Sequence, residues 1–185
     1  MARRIAYIGD APITLADVAL QCRVEVDDLH PEQLLIEQVI VPGVIAQAEA
    51  RTGAAIREAE YEEDWPEGYH SGHALDVGQA FEVVSVSRVL ADGSTEDLTA
   101  PRYLSRSQRE SFLHFGEGRP PGLLRIRYKA GLDHGAYPGP RLWLLMSAAT
   151  AYEFRETMVV GTILAELPSS FLDSLLSEIE VPARF

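Results

Sequence analysis

One cysteine, Cys22, stands in a chain of 185 residues. It can form no internal disulfide and, alone, no thiolate cage for a structural zinc. It reads as a small apolar residue on a helix. Lysine is almost as scarce, since Lys129 accompanies 15 arginines. No run of about 18 uncharged apolar residues occurs, which excludes a membrane-spanning helix. The best run, Leu142 to Tyr152, is short and bounded by Arg141 and Glu153. The opening Met1-Ala2-Arg3-Arg4-Ile5 has a basic flank, but its apolar stretch stops at Asp10, so it does not read as a secretory signal. Positive charge is also in deficit. The chain has 16 basic against 28 acidic residues, net −12. That balance argues against a protein that grips DNA by neutralising phosphates.

What is present is an ordinary globular mixture, 46% apolar and 24% charged. A chain of this size buries roughly 70% of its unfolded surface, enough for one compact core. The charge is unevenly spread. Residues 1–80 carry 5 basic and 15 acidic side chains, net −10, whereas residues 101–141 carry 8 basic and 3 acidic, net +5. Opposite signs on one chain suit side-by-side packing of copies. The candidate interface sets Glu60, Glu62, Glu63 and Asp64 of one copy against Arg119, Arg125, Arg127 and Lys129 of the next.

The expected class is α+β: mainly a helical bundle, with two N-terminal helices, a long C-terminal helix and a short last helix. A small antiparallel β meander is inserted, and an extended tail follows. One domain over 1–180 holds helices in 14–53 and 138–179 and the β insertion at 57–131. Residues 181–185 form the tail. Thr14 and Asp17 read as an N-cap and its partner three residues on. Leu15, Val18, Ala19 and Cys22 share a helix face. Pro31 suits the start of a second helix with Leu34, Leu35, Val39 and Ile45 as its stripe, stopped at Gly53. Pro42-Gly43 predicts a kink or two helices. The acidic run 57–80 reads as a solvated strand or loop. Asp92-Gly93 signals a hairpin. Leu124, Ile126 and Tyr128 alternate with Arg125, Arg127 and Lys129, as in a half-buried strand with a basic outer face. Pro138 and Pro140 open a helix running to about Gly161, with Leu142, Leu145, Ala149 and Tyr152 as its stripe, widened by Trp143, Met146 and Phe154. Leu167-Pro168-Ser169-Ser170 caps a short helix bearing Phe171, Leu172, Leu175 and Leu176.

Chemistry-bearing patterns are sparse. His70 and His73 lie three apart but between Gly68 and Gly72, with no third ligand fixed by spacing, so loop histidines are expected rather than a metal pair. The adjacent acids Asp27-Asp28 and Glu62-Glu63 sit in polar context, which gives no reason for a raised pKa. No serine occupies a Gly-x-Ser-x-Gly elbow. Gly116-x-Gly118 lacks the third glycine and the helix of a dinucleotide site. No catalytic residue, cofactor or metal is expected. Basic residues lack the regular aromatic interleaving of nucleic-acid readers.

The order of the pieces resembles the head-tail connector, or adaptor, proteins of tailed bacteriophages and related gene transfer agents. The shared run begins with Thr14-Leu15-Ala16-Asp17-Val18, the acidic turn Asp27-Asp28 and Ala48-Glu49-Ala50-Arg51-Thr52-Gly53. It continues through Val83-Val84-Ser85-Val86-Ser87-Arg88-Val89, Asp92-Gly93, Tyr103 and Tyr128-Lys129-Ala130-Gly131. It ends with Pro140, Tyr152-Glu153-Phe154-Arg155-Glu156, Leu167-Pro168 and Leu175-Leu176. The resemblance covers roughly residues 13–180. This chain departs from it in the Pro42-Gly43 break and in a long acidic segment at 57–80.

The resemblance implies structural work in the neck of a virion. Copies, usually twelve, form a ring beneath the portal protein, extend the DNA channel without reading sequence, and offer a platform to the tail-side stopper or completion protein. Assembly in the bacterial cytoplasm follows, with no membrane and no enzymatic role. It also implies that the C-terminal segment, Val181, Pro182 and Phe185, reaches a neighbouring copy or the portal. The alternatives are a stopper or terminator, or a small ligand-binding domain or enzyme.

Overall fold

The computed structural model describes residues 2–107, 109–154 and 169–182. They fall into two compact units. One comprises residues 11–52 and 133–178, and the other residues 1–10, 53–132 and 179–185.

The second of these is a β unit with two antiparallel sheets. Its strands are β1 (Arg3–Tyr7), β2 (Ala59–Trp65), β3 (His73–Ala74), β4 (Ala80–Val89), β5 (Thr95–Asp97), β6 (Arg102–Arg106), β7 (Ser111–Phe115) and β8 (Leu124–Ala130). The larger sheet has the order β1-β2-β8-β4-β5 and the smaller β3-β7-β6. The expectation of a mainly helical bundle with a small inserted meander is therefore overturned: the chain is a sheet-rich α+β fold. Two strands that do not look like strands account for much of the difference. β1 begins on two arginines and is exposed for most of its length. β2 is the acidic run, here an inner strand between β1 and β8 rather than a solvated segment.

Alternation makes this possible. Along β2, Ala59, Tyr61, Glu63 and Trp65 are buried while Glu60, Glu62 and Asp64 face outward. β8 follows the expected pattern, with Leu124, Ile126, Tyr128 and Ala130 inward. These faces meet Leu75, Val86, Leu113 and Phe115 in one apolar cluster. The β4–β5 hairpin turns at Gly93, whose φ of +83° an L side chain rarely adopts. There Leu90 N donates to Ser94 O at 2.9 Å.

The helical unit contains α1 (Leu15–Cys22), a 3₁₀ segment (Val26–Glu32), the single turn α2 (Gln33–Leu35), a π turn (Ile36–Ile40), α3 (Val41–Thr52), α4 (Pro138–Glu153) and α5 (Ser169–Ser177). Pro31 lies inside the 3₁₀ segment rather than at a helix start. The expected break at Pro42 is the π turn immediately before it. Proline has no N–H and crowds the carbonyl four residues back, and an i→i+5 turn relieves both. The widened turn also shifts the buried face. Ile36, Ile40, Val41, Val44, Ile45 and Ala48 are buried, whereas Leu34 and Val39, placed on the stripe by a 3.6-residue period, are 68% and 60% exposed. In α4 the inward residues are Pro140, Trp143, Leu144 and Ala148, with Leu142 exposed. The buried stripe keeps the expected period but is rotated towards Trp143, expected at its edge. α4 ends at Glu153, and Gly161, Leu167 and Pro168 lie outside the described residues.

The Thr14 cap forms as expected. Asp17 N donates to Thr14 Oγ1 at 3.2 Å, and Thr14 N donates to Asp17 Oδ2 at 2.8 Å. Arg141 of α4 adds an ion pair to Asp17 Oδ1 at 2.7 Å. Burial alone would raise the Asp17 carboxyl. The Thr14 amide and hydroxyl bonds and the Arg141 charge outweigh it and hold the group below the usual carboxylate value. Its contribution is therefore fully present above the ordinary carboxylate range and is lost as pH falls through the depressed value. Asp17→Ala is expected to lower unfolding free energy by about 1–2 kcal/mol at neutral pH, as losing a cap does. Urea unfolding at pH 7 and pH 3 should show this loss shrinking at the lower pH.

Candidate assembly surfaces

The acidic and basic residues singled out as an interface are brought together, but within one chain. β2 and β8 are antiparallel neighbours with Glu60 opposite Lys129, Glu62 opposite Arg127 and Asp64 opposite Arg125. Arg125 binds Asp64 through two nitrogens, Nε to Oδ1 at 2.9 Å and a terminal nitrogen to Oδ2 at 3.1 Å. Arg127 pairs with Glu60 at 2.9 Å, Arg3 with Glu62 at 3.0 Å, and Lys129 with Glu82 of β4 at 2.8 Å. The result is a ladder of alternating charge over the outer face of the larger sheet. Each exposed pair contributes little, about 0.2–1 kcal/mol. Together they let a strand with four acids run beside other strands without self-repulsion. A recess of about 420 Å³ on this face is lined by Arg3, Glu62, Glu63, Asp64 and Arg125.

Glu63 does not belong to that ladder. Its parity in β2 turns it inward, where it is 3% exposed. Oε1 accepts from Trp65 Nε1 at 2.6 Å, and Oε2 accepts from Tyr128 Oη at 2.9 Å and Asp76 N at 3.0 Å. Burial pushes the carboxyl above its ordinary value and the Asp76 charge adds to this, against the three hydrogen bonds. Burial, then the Glu63 charge, raises the Tyr128 phenol well above its own. The Glu62-Glu63 pair read as polar from its neighbours. The signal that could have separated its members is the run Ala59, Tyr61, Glu63, Trp65 at period two.

Arg119 is likewise committed at home. One terminal nitrogen donates to the carbonyls of Trp65 at 3.1 Å, Pro66 at 2.9 Å and Gly122 at 2.9 Å. The other donates to Pro120 O at 2.6 Å. The guanidinium thus ties the end of β2 to the 119–122 turn. Lysine lacks the planar fork that reaches several carbonyls at once. Arg119→Ala and Arg119→Lys are both expected to lower stability, by about 2 and about 1 kcal/mol, the worth of one or two charge-assisted bonds. Thermal melts of both variants check the order.

Val181, predicted to reach outward, packs on its own β unit. Its side chain stands against Gly53 and Gly78, so close that a Cβ built on Gly78 would lie 2.8 Å from Val181 Cγ2. Ile179 before it is fully buried, Pro182 is exposed, and Phe185 lies outside the described residues.

His73 and His114 serve as aromatic packing. His73 stacks on Tyr69 with centroids 3.7 Å apart and meets the Trp65 ring edge-on, while His114 stacks on Tyr103 and shares a 2.8 Å hydrogen bond with Ser105 Oγ. Among the described residues no group of three His, Cys, Asp or Glu side chains could hold a metal ion, and no helix is long and apolar enough to cross a membrane. In the helical unit a recess of about 430 Å³ is walled mainly by apolar groups, among them Trp143, Met146, Phe154 and Leu172.

No family model matches the chain, and no curated protein matches it. Among solved structures, its fold is similar to a chain in the virion of a native gene transfer agent particle. The TM-score is 0.78 and the identity 16%, over 100% of this chain and 97% of that one. A chain in the neck of an empty gene transfer agent particle, computed with C6 symmetry, matches with the same values. A chain in the neck of a native particle, computed with C12 symmetry, matches with a TM-score of 0.69, 16% identity and the same coverage. At 16% identity the likeness is one of fold.

Proposed function

We propose that this chain is a structural component of the neck of a phage-like particle, a head-tail connector that works by geometry and catalyses nothing. Twelve copies close into a ring beneath a portal protein. The ring extends the DNA channel and receives the next tail-side component, the whole assembling in the bacterial cytoplasm. The observation that carries the reading is the likeness of fold along the whole chain to chains of gene transfer agent necks. The sheet ladder supports a wall beside passing DNA, since its charges are paired rather than offered to phosphates.

Electron micrographs of the purified chain, alone and mixed with its portal protein, test this. Rings seated on the portal are expected. Discrete globules in both samples, with tails joining heads normally when the gene is deleted, would overturn it. We also assign Pro182 and the residues to Phe185 to contact with a neighbouring component. Truncation after Val181, which keeps the seat on Gly53 and Gly78, is expected to weaken portal binding while leaving the melting temperature within about 1 °C, as for a surface change. Undiminished binding would remove that assignment.

A further inference from the structure

Three of the most exposed large aliphatic side chains lie close in sequence: Leu20 at 80%, Leu34 at 68% and Val39 at 60%. Val24 and Val26, between them, are also exposed. Leu34 and Val39 are five residues apart. Several exposed large apolar side chains gathered in one stretch point to an interaction site. The same stretch is acidic, because residues 20–39 hold five acids and one arginine. Glu25, Asp27 and Glu37 are exposed. The surface that fits here is basic with apolar content.

The chain itself carries such a surface. Arg106 and Arg109 flank the tip of the β6–β7 hairpin, both exposed, and among the described residues neither makes an ion pair. Most other cations are engaged. Arg3, Arg51, Arg88, Arg125, Arg127, Lys129 and Arg141 pair with carboxylates, and Arg57, Arg102 and Arg119 hold backbone carbonyls. Tyr103, on β6, is 59% exposed and held flat on His114. Ser107 N donates to Glu110 O at 2.9 Å, and Glu110 N donates to Ser107 Oγ at 3.1 Å.

We infer that the β6–β7 hairpin of one copy docks on the apolar, acidic 20–39 face of the next copy, with Arg106 and Arg109 against Glu25, Asp27 and Glu37. This rests on the ring reading above and names the contact that builds the ring. The two surfaces differ, so the contact is heterologous, the kind that closes into rings when repeated.

Charge reversal on the full chain, read by native mass spectrometry with the portal protein present, tests it. Arg106→Glu with Arg109→Glu, and separately Glu25→Arg with Asp27→Arg, are each expected to raise the concentration at half-assembly at least about tenfold, because like charges then oppose. Mixing the two reversed proteins in equal amounts restores matched contacts between alternate copies, and rings of alternating composition are expected. A hairpin variant that assembles like wild type, or a mixture that stays unassembled, overturns the inference while wild-type rings leave the ring reading standing. Absence of rings in wild type removes the ring reading, and this inference with it.

Discussion

Glu63→Ala is expected to lower the unfolding free energy by about 3–5 kcal/mol. Three donors aim at this carboxylate, from Trp65, Tyr128 and the Asp76 amide, and two of them belong to side chains 1% and 0% exposed. Each donor stripped of its acceptor costs about 1–3 kcal/mol, since no water replaces it in a closed core. Glu63→Gln keeps the shape but turns an N–H₂ towards groups that themselves donate, so an intermediate loss is expected. Urea unfolding followed by Trp fluorescence and far-UV dichroism measures both. A loss under about 1 kcal/mol for the alanine variant would mean that solvent reaches the site, contrary to its burial. The pH dependence has the opposite sign to that of Asp17. Burial raises the Glu63 carboxyl in the folded chain, so the folded state holds a proton that the unfolded state has already released. Stability from this group is greatest below the ordinary carboxylate range, falls as pH rises through the raised value, and then levels. The gap between wild type and Glu63→Gln should narrow over that window.

The parts legible in the sequence are those where one residue type has one local use. The Thr14–Asp17 cap, the Gly53 stop, the Gly93 turn and the in-out alternation of β8 all appear as read. Local rules could not find β1 or the inner position of β2. Both depend on a partner far away in sequence: Arg3 reads as a terminal charge until Glu62 is placed beside it, 59 residues on. The helix stripes failed differently. A one-residue widening at Ile36–Ile40 changes the phase of everything read across it, so a 3.6-residue period puts Leu34 and Val39 inside when they are outside. The assembly surfaces were half legible. The uneven charge was plain, but charge that pairs within the sheet cannot be told from charge held for a neighbour until strand order is known. Once Arg119, Arg125, Arg127 and Lys129 are committed, Arg106 and Arg109 at the hairpin tip stand among the described cations that make no ion pair.

Gly78→Ala is expected to destabilise the β unit by about 2–3 kcal/mol, near the upper range for overpacking. An added Cβ would stand 2.5 Å from the Arg109 carbonyl oxygen and 2.8 Å from Val181 Cγ2. The second obstacle is a side chain that can be shortened, whereas the first is backbone and must move as a segment. Gly78 also donates its N–H to Gly53 O at 3.2 Å and bridges to Ala54, which limits its own retreat. Val181→Ala alone should cost about 1 kcal/mol, two methyls from a half-buried site. In the double variant the two losses should fall short of their sum by about 1 kcal/mol, because only the Val181 half of the clash is relieved. Full rescue would mean that the 107–110 tip yields freely, and strict additivity that Val181 is not seated on Gly78. A further consequence separates fold from assembly. The obstacle that cannot be shortened belongs to the loop presenting Arg106 and Arg109. Gly78→Ala should therefore impair ring formation at temperatures where the variant remains fully folded, while Val181→Ala, which leaves that loop in place, should not.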